Sequence, residues 1–297
     1  FSLRKMSEIN EVKKRINGVA ATQKITNALY LISSAKVRRA REELGKTAPY
    51  FLGIRKEIKS VFKTIGHIDS VYVYPENDHM ESAPCGYLVV TADRGLAGAY
   101  NHNVYKRVEN ELRGRKGSKL FVVGGSGREY LASKGYDVVN SFDFEALRPT
   151  LADSRKMADM LLDGFARGDY SKLFIIYTDM ADGATVVKST RILPFHTAEF
   201  TDEKDKIREE FEFVPSREVV LENLVPSYVC GYVYSALVDS YCAEQNARLA
   251  AMKSACDNAS EILSGLRLEY NHARQDRITT EIAEVSSGAR FQRSNKK

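Results

Sequence analysis

Tryptophan is missing from the 297 residues, and so is any apolar run of the ~18 residues that a membrane-spanning helix needs. Cysteine is scarce. Cys85, Cys230, Cys242 and Cys256 form no C-x-x-C pair and have no histidine cluster beside them, which excludes the usual zinc spacings. A chain this long needs no disulfide framework. Cys242 and Cys256 would share a helix face about 21 Å apart, too far to bridge. All four are expected to be small buried hydrophobes. No charge dominates: 44 basic residues against 39 acidic ones leave +5, short of a dedicated nucleic-acid binder. No G-x-x-x-x-G-K-[ST], H-E-x-x-H, paired-carboxylate or Ser-His-Asp pattern occurs, and the five histidines are scattered. Proline is absent before Pro49 and after Pro226. Because proline costs ~3 kcal/mol inside a helix, both proline-free ends are candidates for long helices.

What is present at those ends has helical period. From Leu249 an apolar stripe runs through Met252, Cys256, Ala259, Leu263, Leu266, Tyr270 and Ala273. Its alternating steps of three and four are a heptad seam that needs a partner helix. Ile278, Ile282, Val285 and Ala289 then take over on a rotated face. The other end reads Ile9, Val12, Ile16, Val19, Gln23, Thr26, Tyr30, Ser33, Val37, Ala40, Leu44 in the same rhythm, with a polar or small middle. Ile25, Leu29 and Ile32 lie on a second face beside it. Seams at opposite ends of one chain can pair antiparallel, although a homodimeric coiled coil would fit the period equally well. A helix over Ser227–Ala289 would reach about 90 Å, longer than a globular domain requires.

The middle reads as α/β. Tyr87–Thr91, Lys119–Val123 and Lys172–Thr178 are apolar strands, and Thr190–Phe195 is a further candidate closed by a proline. Helical segments fall around Tyr100–Arg113, Gly127–Lys134 and Ser154–Phe165, so parallel βαβ units are expected. The chain divides into an N-terminal helix over 1–60, a Rossmann-like α/β domain over 61–226 and a C-terminal long helix over 227–297.

Two loops could carry chemistry. Gly124-Gly125-Ser126-Gly127 follows a strand and opens a helix, where a dinucleotide fold binds pyrophosphate, but it is not G-x-G-x-x-G. It supports a rival reading of the chain as an α/β nucleotide-binding enzyme with helical oligomerisation arms. Asp93-Arg94-Gly95-Leu96-Ala97-Gly98 also follows a strand, and a local Asp–Arg contact holding a structural loop accounts for it. Basic residues crowd the first helix (Lys13, Lys14, Arg15, Lys24, Lys36, Arg38, Arg39, Arg41) and recur along the last (Arg248, Arg267, Arg274, Arg277, Arg290, Arg293). Such a run is usually a solvated face; on a long exposed rod it can also serve as an electrostatic rail for acidic loops of a partner, which matters more for position and rate than for affinity.

Four blocks taken in order resemble one family. They are Arg15-Ile16 with Thr22-Gln23-Lys24-Ile25-Thr26, Ala28, Ser34-Ala35-Lys36, Arg38 and Ala40; Asp93-Arg94-Gly95-Leu96 with Gly98 and Asn101; Glu244-Gln245-Asn246-Ala247-Arg248 with Ala251-Met252 and Asn258-Ala259; and Asn271, Arg274-Gln275, Ile278-Thr279, Glu281, Glu284 and Gly288-Ala289. Together they resemble the gamma subunit of rotary (F-type) ATP synthases. Leu29 stands where that family usually has methionine, Ala99 replaces a common glycine, and the tip is basic rather than small and apolar.

The resemblance implies an antiparallel coiled coil of the two end helices with a Rossmann-like α/β domain inserted between them. It implies a central shaft inside a ring of three alpha and three beta subunits, with delta/epsilon-type rotor subunits and the c-ring as further partners and association with the membrane through that ring. No catalytic residue, cofactor or metal is implied. By the same resemblance Arg248, Arg274 and Gln275, with Thr279 and Glu281, touch the ring's moving loops, and Lys24, Ile25 and Leu29 lie near them on the paired helix. Asp93, Arg94, Gly95, Gly98 and Gly288 are structural motif residues. The stretch after Pro194 lacks the cysteines of the chloroplast insertion, so thiol control is not expected. The chain begins at Phe1, and the expectation is a processed mitochondrial protein on the matrix side of the inner membrane; the bacterial cytoplasmic membrane is the alternative.

Overall fold

In a computed structural model the described residues are 2–64, 70–73, 84–115, 117–181, 184–195, 214 and 216–294. The elements are α1 (Ser2–Thr64), β1 (Cys85–Val90), α2 (Tyr100–Leu112), β2 (Lys119–Val123), α3 (Gly125–Ser133), α4 (Leu151–Ala166), β3 (Lys172–Ala181), β4 (Ala184–Leu193) and α5 (Arg217–Ser294). They form two compact units, one from residues 1–32 with 249–297 and one from residues 33–248.

The first unit is a helix pair. Ile9, Val12 and Thr26 of α1 and Met252, Ala259, Leu263 and Leu266 of α5 are its buried residues. These are seam positions of the two heptad patterns, and the seam residues between them are half-buried. The Gln23 amide donates to Ser260 Oγ at 2.7 Å, and Thr26 Oγ1 lies 3.0 Å from Cys256 Sγ. As the number rises on α1 it falls on α5, so the helices run antiparallel. A polar layer therefore sits in the middle of the seam, where an aliphatic zipper would have leucine. Ile278, Ile282 and Val285 continue α5 as an exposed apolar stripe.

The second unit is a sheet covered on both faces. Strand order is β2-β1-β3-β4; β1 pairs parallel with β2 and β3, and β4 lies antiparallel at the edge. The alternation of strand side chains sorts two cores. Leu88, Val90, Phe121, Val123 and Ile175 point to one face, where α4, Ile54 and Ile58 of α1, and Leu221, Val225, Val229, Val233 and Leu237 of α5 bury them. Tyr87, Val89, Leu120, Val122 and Ile176 point to the other, against Val104, Val108 and Leu112 of α2 and Leu131 of α3. Two close approaches fix this packing. A Cβ on Gly86 would lie 2.8 Å from the ring of Tyr170. One on Gly231 of α5 would lie 2.1 Å from Phe51 Cδ1 of α1.

Three expectations are corrected. The fourth strand is the longer β4, and it returns antiparallel rather than adding a parallel βαβ unit. Only residues 182–183 separate β3 from β4, far too few for the crossover of a dozen or more residues that a parallel strand needs. Pro49 lies inside α1 and Pro226 inside α5, so proline does not mark the helix ends. The cost of one missing N–H is offset where the helix is clamped by packing: Leu221, Val225 and Val229 around Pro226 are fully buried. The four cysteines are all unpaired in disulfide terms, but Cys256 is half-buried rather than buried like the other three.

Candidate functional site

The end of β1 shows what the two glycine-bearing loops do. Gly124 has φ +98°, and a Cβ there would lie 2.5 Å from the Thr91 carbonyl oxygen, so only glycine fits the strand-to-helix turn. Gly127, in the first turn of α3, faces Thr91, and a Cβ there would lie 2.2 Å from Oγ1. The Thr91 hydroxyl donates to the Val123 carbonyl at 2.7 Å and locks β1 to β2. The Asp93 carboxylate then takes the place an anion would occupy at the start of α3. Its Oδ1 accepts from the Gly125 N–H at 3.0 Å and its Oδ2 from the Ala146 N–H at 2.7 Å. Ser126 Oγ donates to the Asp93 carbonyl at 2.9 Å. Helix starts attract negative charge through unpaired N–H groups, and here an internal carboxylate meets that demand. The glycine turn is thus committed to packing and to Asp93, which removes the physical basis for the nucleotide-binding reading.

The loop after Asp93 is held from α5. The expected Asp93–Arg94 contact is replaced by a different pairing, because Asp93 spends its oxygens on backbone amides. Arg248 carries the connection. Its Nη1 donates to Glu244 Oε1 at 2.5 Å, and its Nη2 reaches the carbonyls of Gly95 at 3.1 Å and Arg94 at 3.4 Å. The Gln245 amide also donates to Glu244 Oε1 at 3.2 Å. Burial pushes the Glu244 carboxyl up and Asp93 adds to this, while the Arg248 guanidinium and Lys36 pull it back. A planar guanidinium can satisfy a carboxylate and two carbonyls at once, which an ammonium cannot. Next along the loop, Leu96 adopts φ +62°, the only non-glycine residue described with a left-handed backbone, and its side chain is 68% exposed. Gly98 follows at φ +55°.

The resemblance-derived contact residues fall into two environments. Lys24 and Ile25 are exposed on α1 and Leu29 is half-buried; Arg274, Gln275, Thr279 and Glu281 are exposed on α5. Glu281 pairs with Arg277 one turn back at 2.9 Å. Arg248 differs from these seven: its side chain is only 12% exposed and is engaged as described above. The helix register also separates residues expected together. Gln23 and Thr26 lie across from Ser260 and Cys256, so Lys24–Leu29 face that stretch of α5, and Arg274 and Gln275 follow roughly four turns later. Gly288 is helical with nothing within 4 Å, so no close contact within the described residues requires glycine there. Sequence reading named Glu244 within its block but gave it no role; the signal was a carboxylate one helical turn before an arginine.

An antiparallel helix pair built from the chain's two ends, with an α/β domain inserted between them in sequence, defines the class: a coiled-coil protein with an inserted α/β domain. Comparison with known proteins gives the particular family. The family profile described as ATP synthase matches residues 8–290. The ATP synthase gamma chain of Acetivibrio thermocellus is 36% identical, over 96% of this chain and 99% of that one. That of Alkaliphilus metalliredigens is 37% identical, over 95% and 97%. A sodium ion specific ATP synthase gamma chain from Acetobacterium woodii is 32% identical, over 95% and 97%. The chain belongs to the ATP synthase gamma chain family and is a non-catalytic, central-shaft subunit of that complex.

Among solved structures, a chain of the Euglena gracilis mitochondrial ATP synthase OSCP/F1/c-ring assembly superposes with a TM-score of 0.65 at 16% identity, over 98% of this chain and 96% of that one. A chain of the Tetrahymena thermophila mitochondrial central stalk and c-ring gives 0.58 at 20%, over 78% and 99%. At such identities these likenesses speak for the fold. The curated relatives named above are bacterial; they favour the bacterial alternative and give no support to a mitochondrial placement.

Proposed function

We propose that the chain converts proton-driven rotation of the c-ring into conformational cycling of three catalytic beta subunits, alternating with three alpha subunits around the helix pair. Residues 1–60 and 227–297 supply the helices of the shaft, and 61–226 the α/β domain that rests on the c-ring with the delta/epsilon-type subunits. The complex sits at the bacterial cytoplasmic membrane, on its cytoplasmic side.

The observation that carries this reading is the thin, uncovered helix pair. Ile25, Leu31 and Ile32 on α1 are 61%, 60% and 52% exposed, and Leu268 and Ile282 on α5 are 62% and 65% exposed. So many large apolar side chains on one element imply a surrounding surface. A rotor angle drives a site only by contacting its conformations unequally, so the contacts must be asymmetric. Arg274, Gln275, Thr279, Glu281, Lys24, Ile25 and Leu29 are the proposed contact residues, and Arg248 enters through the loop it holds.

The test is Arg274→Ala with Gln275→Ala in the assembled complex. Both side chains are exposed in the helix pair, so the fold should survive. ATP synthesis and ATP-driven proton pumping are expected to fall well below the wild type at unchanged subunit stoichiometry. Wild-type synthesis in this double variant would overturn the contact assignment.

A further inference from the structure

The loop at 93–98 combines three features that do not normally coincide. It carries an apolar residue, Leu96, in the left-handed region at φ +62°, where a side-chain Cβ crowds the following carbonyl. Leu96 is 68% exposed, so it wins little packing in return. The two residues before it have their carbonyl oxygens held by one nitrogen of Arg248, at 3.4 and 3.1 Å. Leucine left to itself would relax to a negative φ. Something outside the residue must hold it, and strained positions persist only where their surroundings over-determine them.

Two anchors are available. Upstream, Asp93 is fixed by Gly125, Ala146 and Ser126. Downstream, Ala97 is buried and Tyr100 N–H donates to its carbonyl at 3.2 Å. Those hold the ends. Between them, hydrogen bonds from Arg248 seize the carbonyls of Arg94 and Gly95. Arg248 is itself held by Glu244, whose side chain is only 8% exposed, so the guanidinium is fixed in place rather than waving in solvent.

We infer that the Glu244–Arg248 pair is a clamp that holds the 93–98 loop in its strained conformation and makes the loop part of α5. Arg248 is a positioning residue in this role: it acts through the loop and does not need to touch a partner itself. The clamp stands on the geometry alone. Its consequence for coupling rests on the shaft reading above.

The assembled complex reports on the clamp through trypsin. The Arg94–Gly95 bond is a trypsin site on an exposed loop, and its carbonyl is one of the two that Arg248 occupies. Cleavage there is expected to be at least tenfold faster in Arg248→Ala than in the wild type. Leu96→Gly, which removes the left-handed penalty, is expected to slow cleavage several-fold in the wild-type background and to change it little in Arg248→Ala, where the loop has already relaxed. Any direct effect of glycine on trypsin is the same in both backgrounds and cancels. Should Arg248→Ala fail to assemble because Glu244 loses its cation, Arg248→Lys reads the same comparison. It keeps the charge but lacks the fork, and cleavage should still be several-fold faster than in the wild type.

Unchanged cleavage in the assembled arginine variants, or an equal effect of Leu96→Gly in both backgrounds, would overturn the clamp. The ratio of protons pumped to ATP hydrolysed is measured on the same samples. Faster cleavage with a lowered ratio supports both clamp and coupling role. Faster cleavage with a normal ratio keeps the clamp and removes its role in coupling.

Discussion

The two units solve the burial problem in opposite ways. In the body, residues 33–248, the strands send side chains to both faces and helices cover each, so Tyr87, Leu88, Val89, Leu120 and Ile175 are all completely buried. In the helix pair, residues 1–32 with 249–297, the buried positions form one file per helix, and even its best, Met252, Leu263 and Leu266, keep 5% exposure. A sheet has two faces to hide and repays each strand twice. A two-helix seam has one face and leaves the rest of each helix to whatever surrounds it. Stability therefore belongs mainly to the body, while the pair is built to be completed from outside.

The largest test of that contrast removes one leucine from each unit. Leu88→Ala in the body should lose about 3 kcal/mol or more, because its cavity is closed on all sides. Leu263→Ala in the pair should lose about 1–2 kcal/mol, since the neighbours can collapse toward the gap. Chemical denaturation followed by circular dichroism checks both, and equal losses would erase the distinction. The effect of pH comes next. Burial first, and then Asp179, push the Asp239 carboxyl up to about 6 from an ordinary 3.8, against the pull of Lys188. Lys188 pairs with Asp179, and Tyr177 and Tyr232 sit in the same neighbourhood.

The folded body thus retains a proton that the unfolded chain releases. Its contribution is full below about pH 4 and is lost as the pH rises through about 6. Asp239→Asn should flatten this part of the stability profile and gain on the order of 1 kcal/mol at pH 8, after screening by solvent. A thermal-melt series from pH 4 to 8 checks the sign; a variant that loses stability at pH 8 would contradict it. The smallest effect comes from a glycine of the pair. Gly265→Ala in the pair meets nothing within 4 Å and should stabilise its helix by about 0.5–1 kcal/mol. The same change at Gly127 in the body collides with Thr91 and should destabilise. Opposite signs in melting temperature would sharpen the comparison between an open helix and a closed turn.

The helix pair was the more legible of the two units, because a heptad seam is local information. Leu249, Met252, Cys256, Ala259, Leu263 and Leu266 could be read straight off the spacing, and the partner stripe from Ile9 to Tyr30 likewise. The three parallel strands were legible as short apolar runs. The direction of β4 was not, since an edge strand with Lys188 and Arg191 carries no apolar run, and its direction is set by how few residues separate it from β3. Proline misled at Pro226, where Leu221, Val225, Val229, Val233 and Leu237 recur every four residues and their burial holds the helix together across the missing N–H. Of the candidate site, the exposed residues on the pair could be named from motif resemblance. The inward turn of Arg248 could not, because it depends on carbonyls of a loop more than a hundred and fifty positions earlier in the chain.

Phe51 and Gly231 bear on torque. The ring of Phe51 on α1 fills the space where α5 has no side chain, with a virtual Cβ only 2.1 Å from its Cδ1. Tyr234, one turn further along α5, lies against the same ring at 6.1 Å between centroids. This is a key seated in a slot. A smooth helix contact lets one cylinder roll over the other, but a ring sunk to the backbone must be dragged out before either can turn about its own axis. Within the body, a twist applied to one of these helices is therefore delivered to the other with little lost motion.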